Sequence, residues 1–199
     1  MMGESSFEGR LMPREGKQNR SGKAAVLEPD ELQNLLAELD DPYRAIAQLC
    51  YLTAGRIGEV LLLEASHVTG GHLLFPAPNT KMKVSRTAKI TAPMAKVLER
   101  VKPASGCLFS GSGKSGHMTA RAVEHRVKRA AELLGYDGVS LHSFRRSRLT
   151  HLHEQGWSLS ELMRVSGHKS LAALQEYLGV DQSAVDEKLA ALDAGFEVV

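Results

Sequence analysis

Six polar residues of types that could act together are spread along the chain. They are Arg56 in "TAGR", Lys81 in "NTKMKVSRTAKIT", His142 and Arg145 in "LHSFRR", His168 in "GHKS", and Tyr177 nine residues after His168. Arginines stay charged at any working pH, and their forked donors match the non-bridging oxygens of a phosphodiester, where negative charge gathers during attack. A lysine whose pKa is lowered by neighbouring cations can hand a proton to a leaving oxygen. A tyrosine becomes a nucleophile once a base takes its proton or cations stabilise the phenolate. The set therefore suits attack on a phosphodiester by Tyr177, with Arg56 and Arg145 as the clamp, Lys81 as general acid, His142 as candidate base and His168 as a donor that holds the phosphate. Taken singly, each residue has a plainer reading. A helical arginine is usually solvated, a hairpin lysine protects a sheet edge, a histidine at a helix start caps it, and a lone tyrosine buries its ring with the hydroxyl at the surface. Only the combination points to chemistry.

Two other signals lead nowhere. "GSGKSG" contains Gly-Lys-Ser, but a phosphate-binding loop needs a glycine five positions before Gly113, and Leu108 stands there. His151 and His153 are alternate residues of a helical stretch and point apart, no His-Glu-x-x-His occurs, and no metal or other cofactor is implied. Cys50 and Cys107 are the only cysteines, both in apolar surroundings, and read as core thiols rather than a disulfide framework.

The chain that must position the six residues has 199 residues and is 43% apolar, enough for one domain with a core. No run approaches the roughly 18 apolar residues of a membrane span and no signal-peptide core is seen, so a cytoplasmic protein without membrane contact is expected. A net charge of +2 permits nucleic acid as a partner without requiring it. Residues 1–25 are polar and lack apolar periodicity, as in a flexible arm or linker remnant. Pro29, Asp30 and Glu31 open a helix carrying Leu32, Leu35, Leu36 and Leu39. A second helix starts at Asp41 and Pro42, with Ile46, Leu49 and Cys50 as its stripe; "TAGR" interrupts it before Ile57, Val60 and Leu61 resume a helical face. Residues 67–91 read as a small antiparallel sheet with a Gly-Gly turn, and "APMAKVLERV" returns to helix. After a glycine- and serine-rich loop, Thr119 caps a helix with Val123, Val127, Ala130, Ala131 and Leu134 inward, and Arg121, His125, Lys128 and Arg129 outward, a face usually just solvated. One more helix begins near His142, Ser158 and Glu161 form a capping box for the next, Tyr177 closes a short one, and Val185, Leu189, Leu192 and Phe196 mark a last amphipathic one.

In this arrangement the chain resembles the catalytic domain of the tyrosine recombinases, the phage-integrase family, from about Val26 to Val180. "HSFRRSRLTHLHEQGWSLSELMRVSGHKSLAALQEYLG" resembles the family's His-x-x-Arg, Gly-His and nucleophile blocks in the right order. "LTAGRIGEVLLLEASHV" is similar to its first arginine block, commonly Thr-Gly-x-Arg, with the glycine shifted by one and Glu59 as the acidic residue one turn on. "TKMKVSR" resembles the lysine hairpin, where Lys81 matches better and Lys83 competes. The resemblance implies an α+β, mainly helical catalytic domain over residues 26–180, with a small antiparallel sheet of about three strands, between the 1–25 arm and a C-terminal helix and tail over 181–199. It implies that Tyr177 attacks double-stranded DNA to give a 3′-phosphotyrosine and a free 5′ hydroxyl, without ATP or metal. It further implies a homotetramer on DNA and a monomer off it, the last helix docking on a neighbour, and weak, salt-dependent DNA binding where the family's N-terminal clamp domain is lacking. Two competitors stay open: a type IB topoisomerase with the same chemistry, and a DNA-binding or regulatory module with a silent site.

Overall fold

A computed structural model describes residues 23–80, 83–112, 116–178 and 190. Most of the 1–25 arm, Lys81 and the amphipathic stretch Val185 to Phe196 lie outside the described residues. Among the described residues eight α-helices accompany one three-stranded sheet.

The first helix, α1 (Pro29–Ala37), starts as its sequence dictates, with proline in the first turn and the Glu31 carboxylate taking the Glu28 N–H at 2.8 Å. Leu32, Leu35 and Leu36 are its buried stripe, and Leu39 is buried just beyond its end. The next helix, α2 (Tyr43–Leu52), is the central one: Ala45, Ile46, Leu49 and Cys50 are buried on it. A four-residue turn separates it from α3 (Ile57–Leu61), and that turn is where "TAGR" breaks the helical pattern.

The sheet follows as β1 (Val68–Thr69), β2 (His72–Phe75) and β3 (Arg86–Lys89), antiparallel in that order. Gly70 and Gly71 both have positive φ, +56° and +74°, which a two-residue hairpin turn of this hand requires. Leu73 and Phe75 point into the core from β2, and the register sets Phe75 opposite Arg86. After α4 (Ala92–Val101) and the loop beyond it comes α5 (Ala120–Leu133), where the Thr119 hydroxyl accepts the Ala122 N–H at 3.3 Å, a cap worth about 1 kcal/mol. Val123, Val127, Ala130 and Ala131 face inward, and Arg121, His125, Lys128 and Arg129 are exposed.

Three helices complete the described chain: α6 (Leu141–Glu154), α7 (Leu159–Ser166) and α8 (Leu171–Leu178). The Ser158–Glu161 box caps α7 in both directions. Ala24, Ala25 and Leu27 are tied down ahead of α1: Arg146 donates to the Ala24 carbonyl, Ala25 N–H to the Gly138 carbonyl, and Leu27 N–H to the Ser147 hydroxyl at 2.8 Å. One reading needs correcting: Cys50 is buried, but Cys107 is only half-buried, with its sulfur 3.7 Å from His117 Nε2. A loop bonded to the backbone of residues 63 and 65 leaves one side of that thiol open, whatever the apolar neighbours in sequence.

The buried apolar residues form two clusters. The larger joins α1, α2, α3, α4, α5 and the sheet with Leu141 and Phe144 of α6. The smaller consists of Ala54, Leu149, Leu152, Leu162 and Leu174, and Tyr177 packs on it. The first half of α6 thus belongs to one core and its second half to the other.

Candidate active site

Arg56 caps the start of α3 in extended conformation. Its guanidinium donates to Glu59 Oε1 at 2.9 Å and its backbone N–H to Glu59 Oε2 at 3.3 Å, so one carboxylate fixes both the backbone and the side chain. Glu59 is 3% exposed and has a second cation, Arg86 Nη2, at 3.1 Å from Oε2. Burial pushes the Glu59 carboxyl up, yet Arg86 and Arg56 together outweigh it and hold it below the usual carboxylate range. Arg86 lies over the Phe75 ring at 3.9 Å and also donates to the Thr53 and Val165 carbonyls. It therefore joins β3, the turn before Arg56 and the end of α7.

That turn is crowded. Ala54 takes φ +47° while fully buried, and a Cβ on Gly55 would lie 2.7 Å from Thr53 Oγ1. Its product is the Ala54 carbonyl, which accepts from Arg145 Nη1. Arg145 projects from the second turn of α6, is 2% exposed, and donates through Nη2 to the Ser166 carbonyl at 3.0 Å and to His168 Nε2 at 3.2 Å. Burial first, then the charge of Arg56, lowers its pKa to about 10, which still leaves it charged at neutral pH.

His168 reaches this position because Gly167 ends α7 in the left-handed region at φ +70°, a conformation that suits glycine. The ring is held neutral: burial, then Arg145 and Arg56, lower its pKa to about 4. The Tyr177 ring lies beside it, with centroids 5.6 Å apart. Burial raises the Tyr177 pKa against the pull of Arg145, Arg146 and Arg56, so the phenol is protonated at neutral pH. Its hydroxyl faces the backbone carbonyl of His142 at 3.4 Å, while the His142 side chain is exposed on the first turn of α6.

Arg56, Arg145, His168 and Tyr177 therefore come together, and His142 meets them through its carbonyl. Lys81 lies outside the described residues, but Thr80 before it lines a cavity of about 170 Å³ together with Arg56, Arg86, His168 and Lys169. The hairpin thus flanks the site, and the exposed Lys83 stands in it at φ +50°. Two residues of the network escaped the sequence reading. Arg86 had a signal, since it shares the inward phase of its strand with Ala88; Ser166 had none.

The model of the phage integrase family matches residues 25–183. The tyrosine recombinase XerC of Corynebacterium efficiens is 29% identical over 161 residues, covering 76% of this chain and 51% of its own. The chain spans between 43% and 70% of the length of curated relatives it matches. Among solved structures, XerA recombinase is similar with a TM-score of 0.69 at 19% identity, over 86% of this chain and 66% of that one. A lambda integrase dimer bound to a COC′ core site gives 0.66 at 19% identity, over 79% and 49%. The mainly helical architecture with its small antiparallel sheet is thus the fold of these recombinases.

Proposed function

The chain belongs to the phage integrase family, and from that premise we propose that it cuts and rejoins double-stranded DNA through a covalent bond to Tyr177. The observation that carries this reading is the meeting of Arg145, His168 and Tyr177 at the junction of α6, α7 and α8. Arg56 and Arg145 hold the non-bridging oxygens, with His168 as a third contact. Tyr177 Oη leaves the His142 carbonyl and attacks phosphorus, giving its proton to His142 as base. The bond to the 5′ oxygen breaks as Lys81 protonates that oxygen, and the DNA 3′ end is left on the tyrosine. A 5′ hydroxyl of another strand then attacks the ester, restoring the phosphodiester and the phenol. The ester conserves the bond energy, so no nucleotide is spent.

The resting geometry agrees with this division of labour. A protonated Tyr177 beside a neutral His168 is an idle pair, and the phosphate's arrival brings negative charge to Arg145, which donates to the Ala54 and Ser166 carbonyls and to the neutral His168 ring. DNA as partner is supported by the family and by the lambda integrase complex, which holds its core site. A tetramer on DNA and a monomer without it complete the proposal.

The test is a duplex from the gene's own neighbourhood, nicked near the cleavage point so that the covalent product is trapped. Wild type should form it, and Tyr177→Phe, which loses only a hydroxyl, should fold and form none. An adduct in that variant, or one mapped to Tyr136, overturns the assignment. Binding without any adduct from wild type would mark a silent module, and relaxation of supercoils by the chain alone would favour the topoisomerase reading.

A further inference from the structure

His168 is bonded at both ring nitrogens, and the partner of the second has no role so far. Nε2 faces Arg145 Nη2 at 3.2 Å, and Nδ1 faces the Ser166 hydroxyl at 2.7 Å. A guanidinium has only hydrogens to give, so Nε2 is the lone-pair nitrogen and the neutral ring carries its proton on Nδ1. That proton goes to Ser166 Oγ, because Oγ spends its own on the Leu162 carbonyl, also 2.7 Å away. The same residue's carbonyl receives Arg145 Nη2 at 3.0 Å, so Ser166 grips both members of the pair. Ser166 is fully buried on the last turn of α7. Nothing in the helix asks for serine there: alanine is the better helix former, and a hydroxyl turned back on the carbonyl four residues earlier slightly weakens a helix.

We propose that Ser166 is a positioning residue for His168, fixing the ring's plane and its Nδ1–H tautomer so that Nε2 is the nitrogen presented to the arginine pair and to a bound phosphate. The opposite tautomer would aim Nε2–H at the Arg145 N–H, and Ser166 would have to abandon Leu162 to supply a proton to Nδ1. A proton taken up from solvent at Nε2 when phosphate binds turns that nitrogen from acceptor into donor towards a phosphate oxygen, and the ring becomes a double donor whose other N–H is already satisfied. This inference rests on the phosphate-holding role given to His168 above.

The experiment uses the full chain with 15N-labelled imidazoles. At neutral pH, wild-type His168 should show the proton on Nδ1. Ser166→Ala should give a mixture of tautomers, and Ser166→Thr, which keeps the hydroxyl, should restore the wild-type pattern. A proton on Nε2 in wild type, or an alanine spectrum identical to wild type, overturns the proposal; the wild-type measurement decides even where a variant fails to fold. On the nicked duplex, Ser166→Ala should slow covalent joining by roughly ten- to a hundredfold, the range known for partners that orient metal-binding histidines, and should weaken the Kd for duplex far less. Binding weakened as much as rate would reduce Ser166 to a packing residue and overturn it too. If the ring signals behave as expected while wild type forms no adduct, the tautomer assignment stands and the recombinase reading falls.

Discussion

Ala54, not Gly55, is the left-handed residue of its turn. Ala54 sits at φ +47°, where an L side chain costs about 1–2 kcal/mol. Relieving that strain with Ala54→Gly also frees the unfolded chain, by about 0.4–1 kcal/mol, and removes a buried methyl worth about 0.8 kcal/mol. These terms offset, so Ala54→Gly should leave the urea midpoint almost unmoved. Gly55→Ala is different: its Cβ would meet Thr53 Oγ1 at 2.7 Å, Val60 Cγ2 at 3.1 Å and Arg86 Nη2 at 3.2 Å, and a loss of about 1–3 kcal/mol is expected. The shifted glycine is thus a matter of crowding at 55 rather than of φ at 54. His168 gives the second prediction at this scale. Its folded pKa of about 4 lies below the ordinary 6.5, through burial and then Arg145 and Arg56, with Glu59 opposing. Between those values the unfolded chain binds a proton that the folded one refuses, so stability falls as pH drops from about 6.5 towards 4. Urea midpoints across that window should fall less steeply for His168→Gln than for wild type. Residue types were readable because each of the six stands in a recognisable block. The roles of Arg86 and Ser166 were not, because a sequence does not show where a hydroxyl or guanidinium points.

At the scale of elements, Glu59 is the joint between α3 and β3. It satisfies Arg56 and Arg86 at once while 3% exposed, and Arg86 is itself mostly buried. Removing it with Glu59→Ala leaves two cations facing each other without their anion, and a loss of about 3–5 kcal/mol is expected from urea unfolding. Arg56→Ala should cost less, because Glu59 keeps Arg86. The elements themselves were largely legible: Pro29, the Gly70–Gly71 turn, the Thr119 cap and the Ser158–Glu161 box are local chemistry, and local chemistry is written in sequence. What was not legible is how α7 returns to α6, which depends on Gly167 adopting a left-handed turn and on carbonyls at 54 and 166 converging on one guanidinium. These contacts join residues far apart in the chain, and no pattern within a window reveals them.

For the whole molecule, the division of the interior matters more than its composition. Arg56 starts α3, whose Val60 and Leu61 belong to the large cluster, while Tyr177 is held by the small one, whose five buried residues are Ala54, Leu149, Leu152, Leu162 and Leu174. Less buried apolar surface holds the second unit than the first. A thermometer should therefore read two events in this chain. On warming, the capacity to form the covalent adduct should vanish several degrees before the main calorimetric transition, and within that interval the chain should still retain duplex in a binding assay. A single temperature at which adduct formation, binding and structure all disappear would show the two cores to be one. Mild heat would then act on this protein as a safety catch: DNA held, and not cut.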